Sequence, residues 1–197
     1  MTHRKLNMQS PPDVLKKTPE DLPVPLDDGG CAHLADTLLP EVFLISTTGQ
    51  KTDLSQIKGW VVVFCYPMTG RPGQSIPEGW IDIPGAAGCT PQVCSYRDNH
   101  DFFKKNNIHL YGLSTQTSET QKEAVERLQI PYPLLSDSDT ELTSMLRLPL
   151  LEATGLKLTK RLTLIIKDGV IKKCFYPVFP PDKNVSEVIE WFTANEA

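Results

Sequence analysis

Five cysteines stand at positions 31, 65, 89, 94 and 174. The count is odd, the chain of 197 residues is not small, and residues 1–30 hold no apolar stretch resembling an export signal. That combination points to a reducing, cytoplasmic compartment rather than to a secreted disulfide framework. Thiols in such a protein are inert core groups, metal ligands or redox groups.

Cys89 and Cys94 have the most informative setting. They lie in Ile83-Pro-Gly-Ala-Ala-Gly-Cys89-Thr-Pro-Gln-Val-Cys94-Ser-Tyr-Arg-Asp98. Gly85 and Gly88 allow tight backbone just before a predicted helix, and Pro91 suits a first helical turn. Cys89 is thereby expected at a helix N-terminus, where unpaired N–H groups and the dipole favour the nucleophilic thiolate. On an intact helix, positions five apart have Cα atoms roughly 8.6 Å apart. A disulfide usually needs about 7 Å or less. The spacing therefore suits a bond that forms and breaks with local unwinding, not a permanent staple. Two unrelated small residues remain an alternative. A zinc reading can add His100, but no fourth ligand lies nearby and the spacing is wrong, so no metal is expected.

These residues need elements to hold them. The sequence predicts a short hairpin over Val42–Ile45 and Lys51–Leu54, and a strand buried on both faces at Trp60–Tyr66. A long Pro/Gly-rich loop runs from Pro67 to Gly88. A helix is expected over Cys89–Lys105, a strand at Ile108–Leu113, and a helix from Ser118, boxed with Gln121, through Leu128. A short helix over Asp139–Leu146 follows. Arg161–Ile166 and Val170–Phe175 flank Asp168-Gly169, a two-residue hairpin signal. A last helix opens at Asn184 and Glu187 and ends near Phe192. The expected class is α/β, a thioredoxin-like fold with a central mixed sheet flanked by helices. Residues 1–38 read as an irregular N-terminal arm punctuated by Pro and Gly, and 39–197 as the domain. Seventeen prolines exclude a coiled coil. The longest apolar run, Trp60–Tyr66, is far short of the ~20 residues that cross a bilayer. A net charge of −4 with scattered Lys pairs predicts neither nucleic-acid nor membrane partners.

Gly88-Cys89-Thr-Pro-Gln92-Val-Cys94-Ser-Tyr-Arg97-Asp98 resembles the G-C-T-x-Q-x-C-x-[FY]-R-D segment of peroxiredoxins, in their bacterioferritin-comigratory or Q-type, atypical two-cysteine branch. Leu54-Ser-Gln-Ile-Lys-Gly59 with Val61–Pro67, then Tyr111–Ser114, Pro133–Asp137 and Lys160–Gly169 resemble further family motifs in the expected order. The resemblance spans about Leu39 to Phe192. It implies a thiol-dependent peroxidase that reduces hydrogen peroxide or organic hydroperoxides without a cofactor. By that resemblance Cys89 is the peroxidatic cysteine, Cys94 the resolving cysteine, and Arg161 the cation that holds the thiolate and polarises the peroxide. Gln92 is given a structural place and Arg97–Asp98 a local ion pair. The implied reductant is thioredoxin or a glutaredoxin-like dithiol, and the expected state is a monomer or weak homodimer.

The chain also departs from the family pattern. A Pro and a Thr or Ser normally stand seven and three residues before the peroxidatic cysteine, where this chain has Asp82 and Ala86. Pro67 and Thr69 look like the start of that loop, interrupted by an insertion of about the length of Gly70–Ile83. They are expected to fold back and supply the missing groups. Cys65 and Cys174 read as small buried residues of strands, and Cys31 as a thiol of the arm with a second resolving role unsupported. His33, His100 and His109 carry no catalytic expectation. A redox sensor, or a disulfide oxidoreductase that turns over little peroxide, is the alternative function.

Overall fold

The computed structural model describes residues 21–153 and 155–195; the first twenty residues of the expected arm lie outside that range. The strands are β1 (Phe43–Ser46), β2 (Lys51–Asp53), β3 (Trp60–Cys65), β4 (Ile108–Ser114), β5 (Leu134–Ser136), β6 (Leu150–Ala153), β7 (Leu156–Thr159), β8 (Leu162–Lys167) and β9 (Val170–Phe175). The helices are α1 (Cys89–Asp98), α2 (His100–Lys105), α3 (Ser118–Leu128), α4 (Glu141–Met145) and α5 (Asn184–Ala194).

Seven strands form one mixed sheet in the order β2-β1-β5-β4-β3-β8-β9, and β6 pairs with β7 separately. β3 runs parallel to β4 and antiparallel to β8, so the order β4-β3-β8-β9 with crossover helices is the thioredoxin-like core. The continuous apolar run of β3 is explained by its central place. Val62 and Phe64 pack into the layer that holds α1, α2 and α5, whereas Val61, Val63 and Cys65 pack into the opposite layer with Leu34, Leu39 and Leu142. Asp168 and Gly169 close the β8–β9 hairpin with φ of 49° and 80°, the mirror-image turn this dipeptide favours.

α1 is fixed to the sheet by rings and polar groups together. Tyr96 stacks on Phe64 at 4.2 Å, and its hydroxyl donates to Asn184 Oδ1 at 2.7 Å. Thr163 Oγ1 donates to the same Oδ1 at 2.6 Å, which links α1, β8 and α5 through one buried amide. From the other side, Tyr132 Oη donates to the Val93 carbonyl.

Several expectations need correction. The helix predicted over Cys89–Lys105 breaks at Asn99, whose side chain donates to the Ser95 carbonyl and competes with the helical pattern. α3 is capped by Thr117, which accepts from the Thr120 N–H, while the expected partner Gln121 is buried and accepts from Tyr66 Oη. Lys183, not Asn184, precedes α5; Asn184 is the first helical residue, its Nδ2 donating to Glu187 as the expected pair while its Oδ1 is taken by Tyr96 and Thr163. α4 is shorter than expected, its first N–H groups held by the Asp137 carboxylate. β5, β6 and β7 were not predicted.

Asn184→Ala leaves the Tyr96 and Thr163 hydroxyls buried without their shared acceptor. Unmet buried donors of this kind cost ~1–3 kcal/mol each, so we expect unfolding by urea to show a loss of about 2–4 kcal/mol. A loss below ~0.5 kcal/mol would mean that the amide does not tie the three elements together.

Candidate functional site

The site is built where the loop leaving β3 enters α1. Gly88, at φ 99° and ψ 14°, turns the chain into the helix at a point where a Cβ would lie 2.4 Å from Pro181 Cγ. Cys89 is the first residue of α1, as expected, with Pro91 in the first turn. The residue is 4% exposed. Sγ donates to the Ala86 carbonyl at 3.5 Å and accepts from Arg161 Nη2 at 3.3 Å.

Arg161 stands one residue before β8 and is 3% exposed. Nη2 also donates to the carbonyls of Gly85, Ala86 and Ala87 at 3.3, 3.2 and 3.0 Å. Nη1 donates to Gln92 Oε1, one turn along α1 from Cys89. One guanidinium therefore gathers the last turn of the loop, the first turn of the helix and the sulfur. Two donors in this cluster, Arg161 Nε and Gln92 Nε2, are buried without a hydrogen-bond acceptor among the described residues. They belong to the side chain that touches the sulfur and to its neighbour, where an incoming oxygen could be bound.

Cys94 lies on α1, 5% exposed, five positions after Cys89. The two sulfurs are thus carried by the same intact helix. The ion pair expected between Arg97 and Asp98 is present at 2.8 Å, and Arg97 also donates to the Leu128 carbonyl.

Pro67 and Thr69 are placed differently from the expectation. Thr69 is buried, but its hydroxyl and its N–H both donate to Gln116 Oε1, at 3.2 and 2.8 Å, and its carbonyl accepts from Gln116 Nε2. The Pro67 carbonyl accepts from Ser114 Oγ. The Gln116 amide holds Thr69 from both backbone groups, so its hydroxyl is turned to Gln116 and is not among the partners of the Cys89 sulfur. The position where the family has a hydroxyl is filled by Ala86, fully buried in an apolar cluster with Trp80, Leu151 and Leu158. The insertion supplies Trp80, and a hydroxyl at residue 86 would enter that cluster. The sequence signal was Trp80, the one aromatic of the insertion.

A cavity of about 250 Å³ reaches Arg161. Its walls are mainly apolar, from Pro25, Leu26, Ile83, Leu151, Pro177 and Val178. The arm is held there by Asp28, which accepts from Lys160 Nζ at 2.7 Å and Tyr176 Oη at 2.8 Å. The Lys160 and Tyr176 hydrogen bonds hold the Asp28 carboxyl down at about 2. Sequence reasoning missed this clamp, in which Asp28 lies more than a hundred residues from both its partners. Among the described residues no group of His, Cys, Asp and Glu could hold a metal ion, and no helix is long and apolar enough to cross a membrane.

Residues 34–189 match the Redoxin family. Among curated proteins the chain is similar to chloroplastic Peroxiredoxin Q of Sedum lineare, at 28% identity over 77% of this chain and 73% of that one. Among solved structures it is similar to the peroxidoxin BcpB of Mycobacterium tuberculosis, at TM-score 0.65 and 23% identity, covering 81% of this chain and 96% of that one. It also superposes on the bacterioferritin comigratory protein of Xanthomonas campestris, described for its alkyl peroxide reduction activity, at TM-score 0.63 and 17% identity, covering 90% of this chain and 100% of that one. The family match over most of the chain, with a cysteine at the start of α1 under a buried arginine on a thioredoxin-like sheet, shows that the chain belongs to the redoxin family, as a peroxiredoxin of the Q type.

Proposed function

We propose that Cys89 and Cys94 carry out a two-cysteine peroxidase cycle on organic hydroperoxides and hydrogen peroxide, with Arg161 as the electrostatic partner of the reacting sulfur. The Cys89 thiolate attacks the distal oxygen of the hydroperoxide. The O–O bond breaks, the leaving alkoxide takes a proton to become an alcohol (or water), and Cys89 becomes a sulfenic acid. The Cys94 thiol then attacks the sulfenic sulfur, water leaves, and a disulfide joins the two residues. An external dithiol, thioredoxin or a glutaredoxin-like protein, restores both thiols by exchange and is itself oxidised.

The observation that carries this reading is the 3.3 Å approach of Arg161 Nη2 to the Cys89 sulfur. The guanidinium stabilises negative charge on sulfur before the reaction and on the peroxide oxygens during it. Gln92 keeps the guanidinium in place, and the unspent donors Arg161 Nε and Gln92 Nε2 are suited to the two peroxide oxygens. Pro67 and Thr69 serve as positioning residues that hold the start of the loop through Ser114 and Gln116. The apolar walls of the adjoining cavity favour a hydroperoxide with a hydrocarbon tail. The reading places the protein as a monomer or weak homodimer in a reducing, cytoplasmic compartment. The buried Ala86 favours one second reading, a sensor that is oxidised without efficient turnover.

Consumption of peroxide coupled to thioredoxin, thioredoxin reductase and NADPH tests the cycle. We expect turnover in the unmodified chain, none in Cys89→Ser, and turnover retained in Cys65→Ser. Normal turnover in Cys89→Ser would overturn the mechanism, and stable oxidation without turnover would favour the sensor.

The cycle also requires motion, since helical positions five apart keep their Cα atoms roughly 8.6 Å apart. Forming the Cys89–Cys94 bond must unwind the first turns of α1, a local opening cheaper than global unfolding. Amide exchange of the peroxide-treated protein should therefore rise over 89–97 and stay low in β3 and β4. A mapped Cys89–Cys94 disulfide with unchanged exchange there would contradict this.

A further inference from the structure

Cys31 and Cys174, which the peroxidase cycle does not use, lie together. The arm from Thr37 to Leu39 runs along β9: Asp36 N–H donates to the Ile171 carbonyl at 2.8 Å, Ile171 N–H to Thr37 at 2.9 Å, and Leu39 N–H to Gly169 at 2.8 Å. The chain before it turns twice, through Leu34 N–H to the Cys31 carbonyl and Ala32 N–H to Gly29. This folding seats Cys31 close to Cys174 of the outer strand. Both sulfurs line one cavity of about 190 Å³, with Asp27, Gly29, Ala32 and Tyr176. Cys174 is half-buried, not the buried strand residue the sequence suggested, and Cys31 is 8% exposed.

We propose that Cys31 and Cys174 form a second dithiol–disulfide couple, oxidised by hydroperoxide, whose disulfide staples the N-terminal arm to β9. Cys174, the more accessible sulfur, attacks the distal peroxide oxygen and becomes a sulfenic acid as the alcohol leaves. Cys31 displaces water from it, so two thiols and one hydroperoxide give one disulfide, one alcohol and one water. Cys31 is the more buried of the two and acts as the resolving partner; the neighbouring Cys174 and burial push its thiol up, which disfavours it as the first nucleophile. Among the described residues no guanidinium touches this pair, so its oxidation is slower than that of Cys89 and needs more peroxide.

The consequence lies at the cavity beside Arg161. Asp28, three residues before Cys31, is clamped by Lys160 and Tyr176, and Pro25 and Leu26 form one wall of that cavity. Reversible breaking of the clamp would let this wall swing away. A Cys31–Cys174 bond holds the wall in place whatever the state of the clamp.

The proposal takes a hydroperoxide as oxidant but does not require turnover at Cys89. The test therefore uses the full chain carrying Cys89→Ser and Cys94→Ser, which keeps three of the five cysteines. After excess hydrogen peroxide, alkylation and peptide mapping should find one free thiol, at Cys65, and a peptide pair linked through Cys31 and Cys174. Dithiothreitol should restore all three thiols. Amide exchange over 25–34 should fall at least several-fold in the oxidised form. Adding Cys174→Ser should abolish the link, and Cys174→Ser alone in the unmodified chain should leave peroxide turnover unchanged. Three free thiols after treatment, a Cys31–Cys65 link, or sulfinic acid at Cys174 without a link would each overturn the proposal.

Discussion

A guanidinium almost sealed from water needs acceptors for its N–H groups, and Arg161 finds those of both Nη groups in one place. Three successive carbonyls, one amide oxygen and a sulfur surround it. Of those partners only the sulfur can supply a countercharge. A buried cation without one is costly, which gives the arginine a physical reason to sit beside that sulfur. The loop turn at 85–87 can present its carbonyls inward because a cation is there to receive them. The arginine, the loop and the reactive sulfur are therefore a single arrangement, and none of the three keeps its geometry without the others.

The sheet sets that arrangement. Cys65 at the end of β3 is in register with Leu162 at the start of β8. Arg161 is thus placed at the strand end from which the long loop departs. The loop and its insertion then return to the same point as the helix start, closed by Trp80 over Ala86 on one side and by the arm on the other. α1 is anchored at two points, Tyr96 by Phe64 and Asn184, and the Val93 carbonyl by Tyr132. The first turn, which carries Cys89, lies before these anchors.

Much of this was legible in the sequence because it is local. The run Trp60–Cys65, the Asp168-Gly169 turn and the Gly88-Cys89 helix start each declare themselves within a few residues. The placement of Arg161 against Cys89 came from family resemblance, since no local pattern links positions 72 residues apart. What escaped depends on distant partners. β6 and β7 stabilise each other and are too short to show a period. Thr69 looked available for catalysis because nothing in the sequence marks Gln116 as its partner. Cys174 reads as a core residue until the arm brings Cys31 beside it.

The most direct test of the central claim is the second-order rate of Cys89 oxidation by an organic hydroperoxide in Arg161→Lys, followed in a single turnover. Lysine keeps a positive charge but cannot bind the loop carbonyls, Gln92 and the sulfur together. Losing one charge-assisted hydrogen bond of roughly 1.5–3 kcal/mol predicts a fall of about ten- to a hundred-fold, with the fold retained by circular dichroism. A folded Arg161→Lys protein that reacts at the unmodified rate would contradict the account, because the arginine would then organise the loop without acting on the sulfur.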